Sequence, residues 1–310
     1  MLQIDERRIQ RWRKQITSNP DNPHGRQKHQ SKSHKPYNAL TPEERDIVSQ
    51  MIASKEHADA SCRVLSIKTM EDHEVYISPV TYWQHMKDQE INGPRGVNAK
   101  RNNHHTKPDT GKVTAPNQVW SWDITFLKTL VRYQHFYLYS LLDNYSRKII
   151  AWLISNRLTS DNAQALWDQA LINENLVNVP TRDLPQSLSD RGSQMRSHST
   201  RQFFKTLGID QHFSRPRTPN DNPQIEAFFS TVKNCPDYPG RFETLEEAVI
   251  YFQEFMNWYN YHHYHTALGM IAPADYHNGK AAEIISERNQ IKKATLENRR
   301  KVNSGTLIIT

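Results

Sequence analysis

The sequence predicts an α/β protein, in which a mixed β-sheet with flanking helices follows a small all-α domain. Two observations support this prediction. Three strand-like runs follow one another closely after Gln118 and then alternate with amphipathic, helix-like segments. Ahead of them, residues 41–88 contain the helix starts "TPEE" and "SPVT", in which a proline follows a Thr or Ser cap.

Composition limits the class of protein. The chain has 310 residues, a net charge of +7 and a pI near 9.3, which favours a polyanionic partner over the alternative of simple solubility. Two cysteines, Cys62 and Cys235, cannot form a disulfide framework, so we expect a reducing, cytoplasmic compartment. The absence of an 18-residue apolar run argues against a membrane protein.

The N-terminal third divides into three expected segments. Residues 1–40 have nine Lys or Arg against three acids and are expected to be a basic, flexible arm. Residues 41–88 predict three short helices, either a helix-turn-helix that contacts DNA or a plain helical bundle. Residues 89–116 are rich in Gly, Pro, Asn, Lys and His, as in a basic linker.

The remainder is expected to be a mixed α/β core domain, residues 117–277, and a basic C-terminal tail, residues 278–310. In the core, the strand runs are "VWSWDITFLK", "HFYLYSLLDN", "RKIIAWLIS", "QSLSD" and "IDQHF". Helices are predicted over residues 160–176, 199–207 and 245–261, and from "DNPQIEAFFSTVK". This order of elements matches the ribonuclease H-like fold.

Three acids stand at informative places in this pattern. Asp123 lies within an apolar strand, Asp190 ends a later strand, and Glu226 lies in the first turn of a helix capped by Asn222. Taken singly, such acids are more often turn residues or complements to a helix dipole. Together, at strand ends and a helix start, they can meet at one edge of a mixed sheet, where oxygen ligands favour Mg²⁺ or Mn²⁺.

The flanks of these acids resemble the catalytic core of bacterial insertion-sequence transposases of the DDE class, whose core is similar to retroviral integrase. The matching stretches are "WSWDIT", "SDRGSQM", "SRPRTPNDNPQIEAFFSTVK" and "FMNWYNYHHYHTALGMIAPADY". Asp190 and Glu226 are separated by 35 residues, which is the spacing of that family. Leu188 departs from the pattern, since many members have histidine there.

The resemblance implies a function and its partners. Asp123, Asp190 and Glu226 would hold two Mg²⁺ ions, which Mn²⁺ can replace, for DNA strand cleavage by water and strand transfer from a 3′-hydroxyl. The implied partners are the element ends, target DNA, further copies of this chain and a product of an upstream reading frame, fused or in complex. The implied location is the bacterial cytoplasm, at the nucleoid.

Several cations are candidates for DNA contacts, with solvated surface charge as the alternative reading. Lys233 lies seven residues after Glu226, on the same helical face. The other candidates are Arg191, Arg215, Arg217, Lys100 and Arg101.

Two other functions compete with the transposase. A catalytically decayed or co-opted element would act only as a DNA-binding protein, but the intact triad argues against it. A ribonuclease H-type nuclease would cut RNA in hybrids, and the basic N-terminal region disfavours it.

Overall fold

The computed structural model describes residues 36–88, 111–214 and 222–304. The chain divides into two compact units. The smaller one comprises residues 1–41 and 297–310, in which the Asn303 side chain donates hydrogen bonds to the carbonyls of Tyr37 and Ala39.

The larger unit, residues 42–296, begins with three helices. These are α1 (Pro42–Ala53), α2 (Cys62–His73) and α3 (Pro79–Asp88). Hydroxyl caps start two of them: Ser61 Oγ accepts from the Val64 N–H, and Ser78 Oγ accepts from the Thr81 N–H. Their role as a helix-turn-helix on DNA stays a prediction.

A five-stranded mixed sheet follows, as the sequence predicted. Its strands are β1 (Val119–Lys128), β2 (His135–Asp143), β3 (Ile149–Ser155), β4 (Gln186–Ser189) and β5 (Gln211–Phe213), in the spatial order β3-β2-β1-β4-β5. The first three strands pair antiparallel, and β4 and β5 continue the sheet in parallel from β1.

Helices cover both faces of this sheet. They are α4 (Ser160–Asn173), α5 (His198–Leu207), α6 (Pro223–Lys233), α7 (Leu245–Tyr261) and the short α8 (Pro273–His277). Hydroxyl groups of Thr159, Ser197 and Thr244 accept N–H groups of the first turns of α4, α5 and α7. The predicted mixed α/β class with flanking helices is therefore confirmed.

Each face of the sheet has its own apolar core. On one face, Trp120 and Trp122 of β1 pack with Trp167 of α4 and Phe204 of α5. On the other, Leu127 and neighbouring strand residues pack against apolar side chains of α6 and α7, which are Ile225, Phe228, Val232, Phe252 and Tyr259. The buried residues of β1 therefore alternate between the two faces of the sheet.

The C-terminal segment, which the sequence suggested would be a tail, forms the 23-residue helix α9 (Ala281–Asn303). In the larger unit, this helix contacts the end of α2 and the residues that follow it. Thr295 Oγ1 accepts the Tyr76 N–H at 2.9 Å, and the Arg288 guanidinium lies 3.2 Å from a Glu71 carboxylate oxygen. The helical N-terminal region is thus bound to the C-terminal helix.

A buried polar network joins the β2–β3 turn to α4 and α8. Asp143 accepts hydrogen bonds from Ser146, whose hydroxyl lies 2.9 Å from His277 Nδ1. His277 Nε2 lies 2.9 Å from Glu174, which also accepts from Lys148 Nζ at 2.7 Å. The network fixes the end of the core domain to its central strands.

Among the residues described, we find no helix with the length and apolar character needed to span a bilayer.

Candidate active site

Asp123 lies on β1, on the face of the sheet that α6 and α7 cover. Its neighbours Trp120 and Trp122 face the opposite side and are fully buried, as alternation along a strand requires. Asp123 Oδ1 accepts a hydrogen bond from the backbone N–H of Ile124 at 2.8 Å. This bond fixes the orientation of the carboxylate.

The electrostatic surroundings of Asp123 include the other two predicted acids. The pKa of Asp123 is raised to about 7, chiefly by burial, while the hydrogen bond from the Ile124 N–H lowers it. The charges of Asp190 and Glu226 contribute to the raised pKa, whereas that of Lys233 opposes it. Because charge interactions fade over about 10 Å, the structure brings all four groups into one neighbourhood, although more than 100 residues separate the first from the last.

Asp190 follows β4, which runs parallel to β1, so it emerges beside Asp123. Its Oδ1 accepts the Gly192 N–H at 2.8 Å, which closes a tight loop. A Cβ on Gly192 would lie 2.8 Å from Met195 Sδ and 3.0 Å from Asp190 Oδ1. The loop therefore needs glycine for its close approach to both side chains.

Helix α6 positions Glu226 in its first turn and Lys233 at its last residue. Partial burial raises the pKa of Glu226. Asn222 occupies the predicted cap position, but its side chain makes no capping hydrogen bond, because its ψ of 51° differs from the extended backbone of a usual cap. Proline at position 223 and packing of the apolar face therefore position this helix.

One buried side chain beside the acids was not predicted. Ser140 of β2 lies directly opposite Asp123 in the antiparallel pair, and it is completely buried. Its Oγ has no hydrogen-bond partner within the described part of the chain. A serine inside the apolar run "HFYLYSLLD" was the available signal, but only the strand register places it opposite Asp123.

The donor set of this site suits a hard cation. Asp123, Asp190 and Glu226 offer only oxygen ligands, and none of them forms an ion pair within the described residues. Across residues 36–88, 111–214 and 222–304, no three acidic, His or Cys side chains are already close enough to enclose a metal ion. The three carboxylates act on one another electrostatically, and their oxygen-only chemistry is the kind that Mg²⁺ or Mn²⁺ prefers.

Two of the six residues predicted to contact DNA lie within the described part of the chain, and four do not. Lys233 belongs to the electrostatic neighbourhood of Asp123, whereas Arg191 Nε donates a hydrogen bond to the Ser214 carbonyl at 3.0 Å. The other four candidates lie outside the described residues: Arg215, Arg217, Lys100 and Arg101.

Comparison with protein families assigns most of this region. Residues 113–219 match the family described as "Integrase core domain", and residues 207–273 match a second family with the same description. The first match contains Asp123 and Asp190, and the second contains Glu226 and Lys233.

Several insertion-element proteins are similar to this chain. The transposase for insertion sequence element IS904 of Lactococcus lactis is 29% identical over 170 residues, which are 53% of this chain and 63% of that protein. The insertion element IS600 uncharacterized 31 kDa protein of Shigella sonnei is 30% identical over 190 residues, 59% of this chain and 67% of that protein. A putative transposase for IS150 of Escherichia coli is 28% identical over 167 residues, 54% of this chain and 56% of that protein. The chain thus spans roughly three fifths of the length of the curated relatives that it matches.

Among solved structures, the catalytic core domain of HTLV-2 integrase in complex with magnesium is similar, with 17% sequence identity and a TM-score of 0.39. The match covers 54% of this chain and 99% of that one.

Proposed function

Because the chain belongs to the insertion-sequence transposases that have an integrase core domain, we propose that it is a metal-dependent DNA transposase of the DDE class. It hydrolyses a phosphodiester bond at an element end and then joins the freed 3′-hydroxyl to target DNA. Both steps are phosphoryl transfers and use one site.

The observation that supports this proposal most strongly is the electrostatic grouping around Asp123. Asp190 and Glu226 act on its carboxylate, and so does the cation of Lys233. Three acids near one another repel unless cations compensate them. Such an arrangement is costly to the fold and is explained by binding of metal and phosphate.

Asp123, Asp190 and Glu226 would hold the metal, proposed to be two Mg²⁺ ions that Mn²⁺ can replace. When bound, a pair of such ions supplies an activated attacking oxygen and stabilises a leaving oxygen. The main-chain N–H groups of Ile124 and Gly192 hold two of the carboxylates in place. Lys233 is suited to hold a DNA phosphate beside them, as a point charge.

The partners follow from family membership and charge, and they are part of the proposal. We expect the chain to bind element ends and target DNA, and to act as a homo-oligomer on DNA because two ends must be joined. We further propose cytoplasmic action at the bacterial nucleoid, and fusion to or complex formation with an upstream-frame DNA-binding protein.

Nicking of supercoiled plasmid that contains the element's flanking DNA tests this function. We expect the wild type to nick in Mg²⁺ or Mn²⁺ but not in EDTA. Asp123→Asn should reduce nicking at least a thousandfold, since one metal ligand is lost, while DNA affinity measured by fluorescence anisotropy stays within about threefold.

Asp161→Asn is the matched control, because Asp161 is an exposed acid in the first turn of α4. It should nick like the wild type. Normal nicking by Asp123→Asn would contradict the assignment, and a wild type that binds DNA without nicking it would favour a decayed element.

A further inference from the structure

The hairpin that joins β1 to β2 exposes an unusual set of side chains beyond the candidate active site. The exposed fractions are 55% for Phe126, 55% for Val131 and 82% for Tyr133. The cations Lys128 and Arg132 are exposed beside them. We call these five residues, together with His135, the hairpin surface.

This surface is basic, and the acids of its two strands, Asp123 and Asp143, lie outside it. From Ile124 to Leu142 the sequence contains no Asp or Glu. The Arg132 guanidinium lies 4.8 Å from the centre of the Tyr133 ring, which places a cation and an aromatic face together. Phe126 contacts the rings of His135 and Tyr137 edge to face, which extends the aromatic surface down the sheet.

The tip of the hairpin is braced rather than loose. Leu130 N donates to the Phe242 carbonyl at 3.1 Å, and Arg241 Nη1 donates to the Thr129 carbonyl at 3.1 Å. The Thr129 hydroxyl lies 2.9 Å from the Val131 carbonyl oxygen and donates to it. A braced tip loses little conformational freedom when it binds a partner.

Tyr133 has no evident role in the fold. Its φ is +68°, a left-handed conformation that glycine or asparagine adopts at lower cost. Its ring is mostly in solvent, so the aromatic side chain does not offset this cost by burial. Strained backbone of this kind clusters at active sites, ligand clamps and switch regions.

The positive charge of the hairpin surface favours a nucleic acid over a second copy of the chain as its binding partner. A symmetric contact between two copies would bring the Lys128 and Arg132 cations of both copies into one interface, because such an interface uses the same patch on both subunits. A nucleic acid instead brings phosphates to the cations and bases to the aromatic rings. The surface therefore fits a polyanion with unpaired bases.

We propose that the hairpin surface binds the DNA strand that flanks the reacting phosphate, with an unpaired base stacked on Tyr133 and phosphates at Lys128 and Arg132. This inference rests on the proposed function, and it adds which part of the DNA the chain holds. Phe126 lies three residues from Asp123, about 10 Å along the strand, and its side chain points to the opposite face of the sheet. A DNA strand that contacts both the acids and the hairpin surface would therefore pass around the end of the hairpin.

Binding in EDTA tests the proposal without any cleavage. The probes are a blunt DNA duplex and the same duplex with a short single-stranded 3′ overhang that contains 2-aminopurine. Tyr133→Ala should weaken binding of the overhang DNA about tenfold and abolish quenching of 2-aminopurine, since one stacking contact is lost. Blunt duplex should bind almost unchanged, and Tyr133→Phe should behave like the wild type.

Tyr261→Ala is the matched control, because Tyr261 is another exposed tyrosine, at the end of α7. It should keep both affinity and quenching. The proposal is overturned if Tyr133→Ala binds the overhang DNA like wild type, or if it loses no more affinity than Tyr261→Ala. It is also overturned if Tyr133→Ala changes only the mass of the free protein in light scattering, since the occupant is then a second copy.

The two proposals can fail separately. Quenching that depends on Tyr133 in a chain that never nicks DNA supports the hairpin surface and contradicts the transposase. If the wild type nicks DNA in a metal-dependent way but Tyr133→Ala does not change 2-aminopurine quenching, the transposase is supported and the hairpin surface is contradicted.

Discussion

Gly192 shows how strongly one residue constrains the loop that positions Asp190. Its N–H donates to the Asp190 carboxylate, and no room exists for a Cβ between that carboxylate and Met195. Met195 is itself buried in the core with Trp122 and Phe204, so its sulfur cannot move away freely.

We predict that Gly192→Ala lowers the free energy of unfolding by about 1–3 kcal/mol, as overpacking does. It should also lower nicking at least tenfold, because Asp190 must shift to admit the methyl group. Urea unfolding and plasmid nicking measure the two effects. Ser193→Ala, at the exposed next position, should change neither, and wild-type nicking by Gly192→Ala would contradict this account of the loop.

At this scale the sequence predicted the acids but not their immediate partners. Asp123, Asp190 and Glu226 could be selected because of their combined positions and because their flanking stretches and spacing resemble those of the transposase family. Ser140 could not be placed opposite Asp123, because the register of two strands depends on packing across the sheet.

At the scale of elements, the network around His277 holds α8 to the β2–β3 turn and the end of α4. Burial alone would raise the pKa of Glu174, but hydrogen bonds from His277, Lys148 and Asn117 together lower it to about 2. Burial alone would lower the pKa of His277, but Asp143 and Glu174 raise it, against a smaller lowering by Lys148. When protonated, His277 donates from both nitrogens.

These shifts set a pH window for stability. Because the pKa of His277 is raised in the folded state, its protonation adds stability that is fully present below the ordinary histidine pKa of about 6.5. This stability is lost as the pH rises through the folded-state pKa. A lowered pKa on Glu174 adds stability above the usual value of about 4.3, and this is lost as the pH falls toward 2. The network therefore contributes most between about pH 4.3 and 6.5.

We predict that His277→Gln lowers the free energy of unfolding by about 1–3 kcal/mol at pH 6 and by clearly less at pH 8, since charge-assisted hydrogen bonds are lost. Urea unfolding at both values measures this. His262→Gln, at an exposed histidine after α7, should have little effect at either pH. An equal loss at pH 6 and pH 8 for His277→Gln would show that the imidazole acts only by packing.

Elements with a clear apolar period were predictable, and α9 was not. The three strand runs and the helix at 245–261 alternate or repeat their apolar residues, so their positions agree closely with the structure. Helix α9 is rich in charged residues and mostly exposed, so it lacks the apolar stripe that predicts an amphipathic helix.

At the scale of the whole molecule, the mixed sheet explains how residues far apart in the sequence come close together. Parallel pairing of β4 with β1 brings the end of β4 beside Asp123, and α6 packs on the same face of the sheet. Order of elements was enough to predict this class of fold. The domain boundaries remain predictions. So do the DNA contacts on the N-terminal helices, because a surface that binds DNA leaves no periodic signal in a sequence.

The central claim is that Asp123, Asp190 and Glu226 together bind divalent metal. Electron paramagnetic resonance of Mn²⁺ titrated into the DNA-bound chain, corrected for Mn²⁺ on DNA alone, tests it most directly. The account predicts specific Mn²⁺ sites in the wild type and in Asp161→Asn that are lost in Asp123→Asn and in Glu226→Gln. Equal Mn²⁺ binding by all four proteins would contradict it.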